Sequence, residues 1–371
     1  MAGDRWTRRL PPAGRPVRTP PQRPRHPATA LCFAGHRIFP GLHRAAVQRQ
    51  SWPVLSVLIV TFPFFALVLC GYIATRGGVL PLSAISGLNT FVLFFALPCM
   101  LYRFGAQTPI AQLLDPVVAG VYLLCGLALV AATLALTLRR WGWNDAAFGA
   151  LVAAFPNSGF MGVPLLVALL GEGSAGPVIL TMALDMVITT SLCIALSRLG
   201  EGEGGAVQAL RKALRGMLSN PMPWSIALGA VASALAFELP GPIDKTVAML
   251  AGAASPVALF TIGAVLARSQ MNLHEQLAPR DYVPIALVKL LVHPLLVWSA
   301  CQAAVALGLP LSTEAMVALV LVSALPSASN VSLLTERFGA HGGRVARIIL
   351  VSTALAFVTF SAAVTWLAPA A

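Results

Sequence analysis

Ala153-Ala154-Phe155-Pro156-Asn157-Ser158-Gly159-Phe160-Met161-Gly162-Val163-Pro164 and Ser323-Ala324-Leu325-Pro326-Ser327-Ala328-Ser329-Asn330-Val331 each interrupt a long apolar stretch. A proline inside a helix removes one backbone hydrogen bond and clashes with the preceding turn. In hydrocarbon the freed carbonyl survives only where protein or a water-filled cavity satisfies it. Two broken helices at matching places in the two halves of a chain point to a transporter's binding site. The chain reads as a membrane carrier.

Composition agrees. Of the 371 residues 57% are hydrophobic and only 10% charged, against about 25% charged in a soluble domain. The mean hydropathy is +0.81, so most of the chain must face lipid or other apolar helices. The net charge of +12 is unevenly placed: residues 1–51 carry ten arginines against the single acid Asp4. The basic balance therefore belongs to one appendage and does not argue for a nucleic-acid partner. Six cysteines show no C-x-x-C spacing, so neither a zinc site nor a disulfide framework is indicated. Arginine outnumbers lysine 22 to 3 and alanine is abundant, a bias that suggests a GC-rich bacterial gene.

Residues 1–51 are rich in Pro and Arg, lack an apolar period and are expected to be disordered. They do not resemble a secretory signal, because no apolar core and cleavage site follow the charges. We expect them to be an over-extended gene start, with translation beginning near Val54 or Val57; N-terminal sequencing that finds residues before Trp52 would overturn this.

Ten apolar stretches follow, at about 53–75, 82–102, 116–138, 146–170, 176–197, 222–238, 246–267, 282–308, 314–336 and 345–368. Each approaches the ~20 residues a membrane helix needs. The longest loop, 199–220, divides them into a first unit, 52–198, and a second, 221–371. Loops after the odd-numbered stretches carry twelve Lys and Arg, those after the even-numbered ones only Arg103 and Lys245. By the positive-inside rule the odd loops are cytoplasmic and both termini periplasmic, in a multi-pass protein of the bacterial inner membrane. The leader's arginines run against that placement. An odd number of helices per half makes the halves inverted, with the two breaks entering from opposite sides.

In the first break, Pro156 and Pro164 bracket Asn157, Ser158, Gly159 and Gly162; in the second, Pro326 precedes Ser327, Ser329 and Asn330. Asn and Ser offer donors without permanent charge, and residues after a break start a half-helix whose N–H groups and dipole favour an anion. Two such half-helices crossing near the membrane centre could hold a carboxylate. Pro and Gly also kink packed helices in many membrane proteins, but two matched breaks, each followed by Asn, favour a binding site. Neutral amides orient a carboxylate without balancing it, so dipoles or Lys289 must supply positive potential.

Asp185, Lys289 and His293 lie deep in apolar stretches. A mid-bilayer charge costs ~2.5–3.5 kcal/mol on insertion scales and faces a cavity or a partner. Lys289 and His293, four apart, share a helix face. Asp185 could pair with Lys289, relay protons or help hold Na⁺; a static ion pair that locks helices is the other reading. An intramembrane enzyme, with Ser158 or Ser327 as nucleophile and Lys289 or His293 as base, finds no support. No G-x-S-x-G elbow, H-E-x-x-H zinc pair or P-loop is present. No catalytic residue, metal or cofactor is expected, H⁺ or Na⁺ coupling aside.

Phe155 to Leu166 also resembles the helix-4 signature of the auxin efflux carrier family of membrane transporters, and Leu325-Pro326-Ser327-Ala328-Ser329-Asn330 its helix-9 counterpart. Leu88-Asn89 to Leu97-Pro98, Asn220-Pro221, Pro256-Val257-Ala258-Leu259 with Gly263, and Lys289 to Pro294 fit as well, over about residues 54–368. The resemblance implies an all-α fold of ten transmembrane helices in two inverted five-helix repeats, similar to the bile acid–sodium symporters. Helices 4 and 9 would be broken at crossover prolines, Pro164 fitting the first and Pro326 the second. Asn157 and Asn330 would then contact the substrate carboxylate, with Pro156 lining the site. Family members export small organic acids, and a short 198–220 segment is the bacterial pattern.

The expectation is a secondary transporter for small mono- or dicarboxylates, working by elevator-like or rocking exchange, with Asn157, Ser158, Gly159, Ser327, Ser329 and Asn330 as its site. A Na⁺- or H⁺-coupled uptake symporter is the alternative, and a channel or receptor a further one. Expected partners are the organic acid and membrane lipid, with no nucleic acid; a homodimer is left open.

Overall fold

The computed structural model describes residues 54–199, 221–271 and 277–367, with isolated positions between 208 and 215. The leader 1–51 and nearly all of the 199–220 loop lie outside the described residues. What is described is all-helical, with no strand. Seven helices are long and apolar enough to cross a membrane. They are α1 (Val54–Arg76), α2 (Ala84–Gln107), α3 (Pro116–Ala154), α5 (Glu172–Ser197), α7 (Gly241–Met271), α8 (Val283–Ala306) and α11 (Gly342–Leu367). Between them lie four shorter helices: α4 (Ser158–Leu170), α6 (Pro221–Ala234), α9 (Thr313–Ala324) and α10 (Val331–Phe338).

Burial is inverted relative to a soluble protein. Ile59, Phe62, Leu124, Leu136 and Val358 are exposed, while Asn157, Asp185, Lys289, His293 and Ser327 are buried. An apolar exterior over a polar interior suits a solvent of hydrocarbon, where backbone groups must be satisfied internally.

Local sequence explains the ends that frame the site. Asp115 caps α3, accepting from Val117 N–H at 2.9 Å and Val118 N–H at 3.1 Å, with Pro116 in the first turn. Ser312 caps α9 through Ala315 N–H at 3.1 Å. The third and fourth apolar stretches, expected as separate helices, follow one another directly across a non-helical kink at Gly142 (φ 73, ψ 173). A residue without Cβ adopts that conformation at little cost, so the chain changes direction without a loop. Beyond the turn, Asn144 donates to the Phe338 and Gly339 carbonyls at 3.2 and 3.1 Å, and Arg198 to Phe338 at 2.5 Å. The last carbonyls of α10 are thus tied to α3 and α5.

Two helix pairs pack with their backbones almost touching. Gly71 of α1 faces Phe260 of α7, where a Cβ would fall 1.9 Å from the Phe260 oxygen; at Gly263 it would fall 1.8 Å from the Val68 oxygen. Gly229 of α6 faces α2 in the same way, 2.6 Å from the Tyr102 oxygen. Small residues permit such approach between membrane helices. Gly263→Ala must push α1 and α7 apart. It should destabilise the protein by about 1–3 kcal/mol, as overpacking does, and a thermal melt in detergent that matches wild type would contradict the packing.

Candidate functional site

The two interrupted stretches meet. α3 stops at Ala154 and α9 at Ala324, and the extended residues after them lie side by side as an isolated antiparallel bridge between Pro156 and Ser327. Asn157 N–H donates to the Pro326 carbonyl at 2.8 Å, and Ala328 N–H donates to the Phe155 carbonyl at 3.0 Å. Ser327 N–H, on the far side, is taken by the Ser352 hydroxyl of α11 at 3.2 Å. Each break therefore satisfies main-chain groups that the other leaves open, the condition for non-helical backbone at membrane depth. Helix resumes at Ser158 on one strand and at Val331 on the other.

Pro164 stands apart from this seam. It sits inside α4, at the second position after a π turn over Ser158–Gly162, and the helix does not break there. Pro164, the residue that the resemblance assigned to the crossover, thus lies within α4, and the main-chain pairing with the second break is at Pro156.

A narrow cleft opens beside the seam. Asn157, Gly159 and Asn330 supply its polar lining, and Leu97, Phe155, Phe160, Met182, Met186 and Met222 its apolar walls. Asn330 Oδ1 is buried without a partner. Rotated by half a turn, the same amide would present two N–H donors there. Of the other expected residues, Ser329 lines a second cleft with Asn330. Ser158 and Ser327 do not line either; they are 0% and 1% exposed, Ser327 being part of the seam itself with its hydroxyl unpartnered.

The buried ionisable residues form a separate cluster. Asp185 opens one π turn, Asp185–Thr189, and Lys289 lies in another, Val288–Val292. Such widened turns recur at functional sites. The two side chains form no direct ion pair, but their charges lie near enough to act on each other. Asp185 accepts from Tyr122 at 2.6 Å and from Thr189 at 3.0 Å. Lys289 donates to the Ser323 carbonyl at 2.8 Å and contacts His293 Nδ1 at 3.0 Å. Where Lys289 is an ammonium it has only protons to give, so Nδ1 accepts; His293 Nε2 has no partner. Tyr122 and His293 bridge the gap, ring centroids 6.2 Å apart. Ser323 lies in the last turn of α9, so the Lys289 charge sits at the negative end of that half-helix.

Sequence reasoning missed Tyr122, which has no charge to draw attention, and the Ser323 carbonyl, which no side-chain pattern can reveal. It also read Arg268 only as a loop charge, whereas Arg268 lines the second cleft with Asn89, Ser329, Asn330 and Ser332.

Seven apolar spans around two broken helices whose main chains pair at their breaks define a multi-pass membrane transport protein. The chain belongs to the auxin efflux carrier family: residues 56–364 match the family described as "Membrane transport protein". It is 30% identical over 304 residues to a protein of Rhizobium meliloti (strain 1021) provisionally described as a malonate transporter, covering 81% of this chain and 92% of the relative. An uncharacterized transporter of Methanothermobacter thermautotrophicus is 28% identical over 309 residues, 82% of this chain and 94% of the relative. The uncharacterized transporter YfdV of Escherichia coli (strain K12) is 27% identical over 199 residues, 53% of this chain and 60% of the relative.

Proposed function

We propose that this protein is a secondary transporter of small organic anions, with a substrate carboxylate held between Asn157 and Asn330 at the seam. The observation that carries this reading is the backbone pairing of the two breaks beside a cleft lined by both asparagines. The relative described as a malonate transporter makes a short dicarboxylate the first substrate to try.

The reading includes ten spans in two inverted repeats. Two features support it beyond the paired breaks. The turn at Gly142 divides α3 into two apolar pieces. The glycine-packed pairs, α1 with α7 and α6 with α2, interchange when the first half of the chain is mapped onto the second. We place the arginine-bearing loops in the cytoplasm. A cysteine introduced at Gly308 should accordingly label from outside intact cells, and labelling only after permeabilisation would reverse the orientation. The buried cluster ending on Ser323 supports ion coupling, because it joins α5, α3 and α8 to the half-helix before the second break.

Proteoliposomes test the function. Labelled malonate, succinate and acetate should enter saturably, show counterflow against unlabelled acid inside, and respond to a proton or Na⁺ gradient. Flux that rises linearly with concentration would indicate a channel, and no flux with any acid would remove the organic-anion reading.

A further inference from the structure

A carboxylate held only by amides keeps its charge unbalanced, and desolvating an unpaired charge is costly. Lys289 is the only lysine or arginine in the buried interior of the described residues. It is already committed to the Ser323 carbonyl and to His293, so another cation is needed near the cleft. Arg268, in the last turn of α7, is partly buried. It makes no hydrogen bond or ion pair with any described residue. It lines a narrow cleft with Asn89 of α2 and Ser329, Asn330 and Ser332 of the second break. Asn330 and Phe160 line this cleft and the seam cleft alike, so the two spaces share a wall.

We propose that Arg268 is the counter-charge for the second carboxylate of a small dicarboxylate whose first carboxylate lies at the seam. The assignment rests on the organic-anion reading above and narrows it to diacids. A guanidinium presents a planar fork of donors that matches a carboxylate in bidentate fashion. The hydroxyl of Ser329 and the amide of Asn89 supply further donors around it, the Ser332 hydroxyl being given to the Ser329 carbonyl at 2.7 Å. An arginine near a helix end ordinarily snorkels to the interface, whereas Arg268 is partly buried and lines a cleft with the second break. The shared wall at Asn330 makes the second carboxylate's site contiguous with the first. A monocarboxylate would fill only the amide site and leave the arginine unmatched.

The test compares diacids with their monoamides, which keep one carboxylate and nearly the same size. Binding of malonate, malonamate, succinate and succinamate is measured on the purified full chain in nanodiscs. Wild type should bind each diacid at least about tenfold more tightly than its monoamide, the scale of one charge-assisted pair. Arg268→Gln should lose that preference while keeping monoamide affinity, which also shows that the variant is folded. Arg268→Lys should keep part of the preference. A wild type without diacid preference, an Arg268→Gln that retains it, or a variant that loses diacid and monoamide equally overturns the role of Arg268. In the first of these cases, saturable monoamide binding leaves the organic-anion reading standing. Binding of neither class by wild type removes both.

Discussion

Asn157→Ala and Asn330→Ala should each bring carboxylate uptake in proteoliposomes close to that of empty vesicles, while the protein still inserts in the membrane. A hydrogen bond to a charged group contributes about 1.5–3 kcal/mol, so losing one at the seam costs roughly ten- to a hundredfold in transport at low substrate. Insertion survives because the seam itself uses the main chain of Asn157, not its amide. Ser158→Ala is the control. Its hydroxyl is fully buried away from both clefts, so its uptake should stay near wild type. Wild-type rates in both asparagine variants would refute the site, and a Ser158 variant as impaired as they are would show that general damage, not substrate contact, is being measured.

Lys289→Met should have the largest effect on stability. The ammonium has two buried partners, and each polar group left without one costs about 1–3 kcal/mol. The Ser323 carbonyl and His293 Nδ1 would both be stranded, and the end of α9 would lose its cation. Thermal melts in detergent should show the loss, and a variant as stable as wild type would mean the lysine is dispensable for folding. Asp185→Asn is milder. The amide keeps an acceptor for Tyr122 or Thr189, so the fold should hold. If Asp185 couples transport to an ion, this variant should retain counterflow yet no longer respond to a proton or Na⁺ gradient. Unchanged gradient response would make the cluster a structural lock.

Much of this was legible in the sequence because the informative residues are ones whose backbone chemistry is fixed. Pro156 and Pro326 announce breaks by lacking an N–H, and the charges of Asp185 and Lys289 stand out against apolar neighbours. The partners of those groups were not legible. Asp185 and Lys289 lie near enough for their charges to act on each other, but neither is the other's hydrogen-bond partner. Of the actual donors to Asp185, Thr189 stands one turn along the same helix, and Tyr122 is brought in by how α3 packs on α5. Gly142 was hidden for a similar reason. Arg139, Arg140, Trp141 and Trp143 look like a connecting loop, whereas a single left-handed residue turns the chain within helix. Arg268 was counted with the loop charges because its place in the chain, near a helix end, says nothing about the cleft into which tertiary packing brings it.

The seam between Phe155–Asn157 and Pro326–Ala328 has a mechanical consequence. In an apolar interior an amide–carbonyl hydrogen bond is worth about 4–6 kcal/mol, and two of them join the broken helices. We expect the pieces on either side to travel as one carriage, sliding against the glycine-packed frame of α1, α7, α2 and α6 rather than parting from each other. Because the coupling is main chain to main chain, alanine scanning will pass over it in silence. Only a change that deletes an amide hydrogen, such as Ala328→Pro, uncouples the carriage. That variant should stall transport even with both asparagines in place, and normal turnover from it would show that the halves move independently.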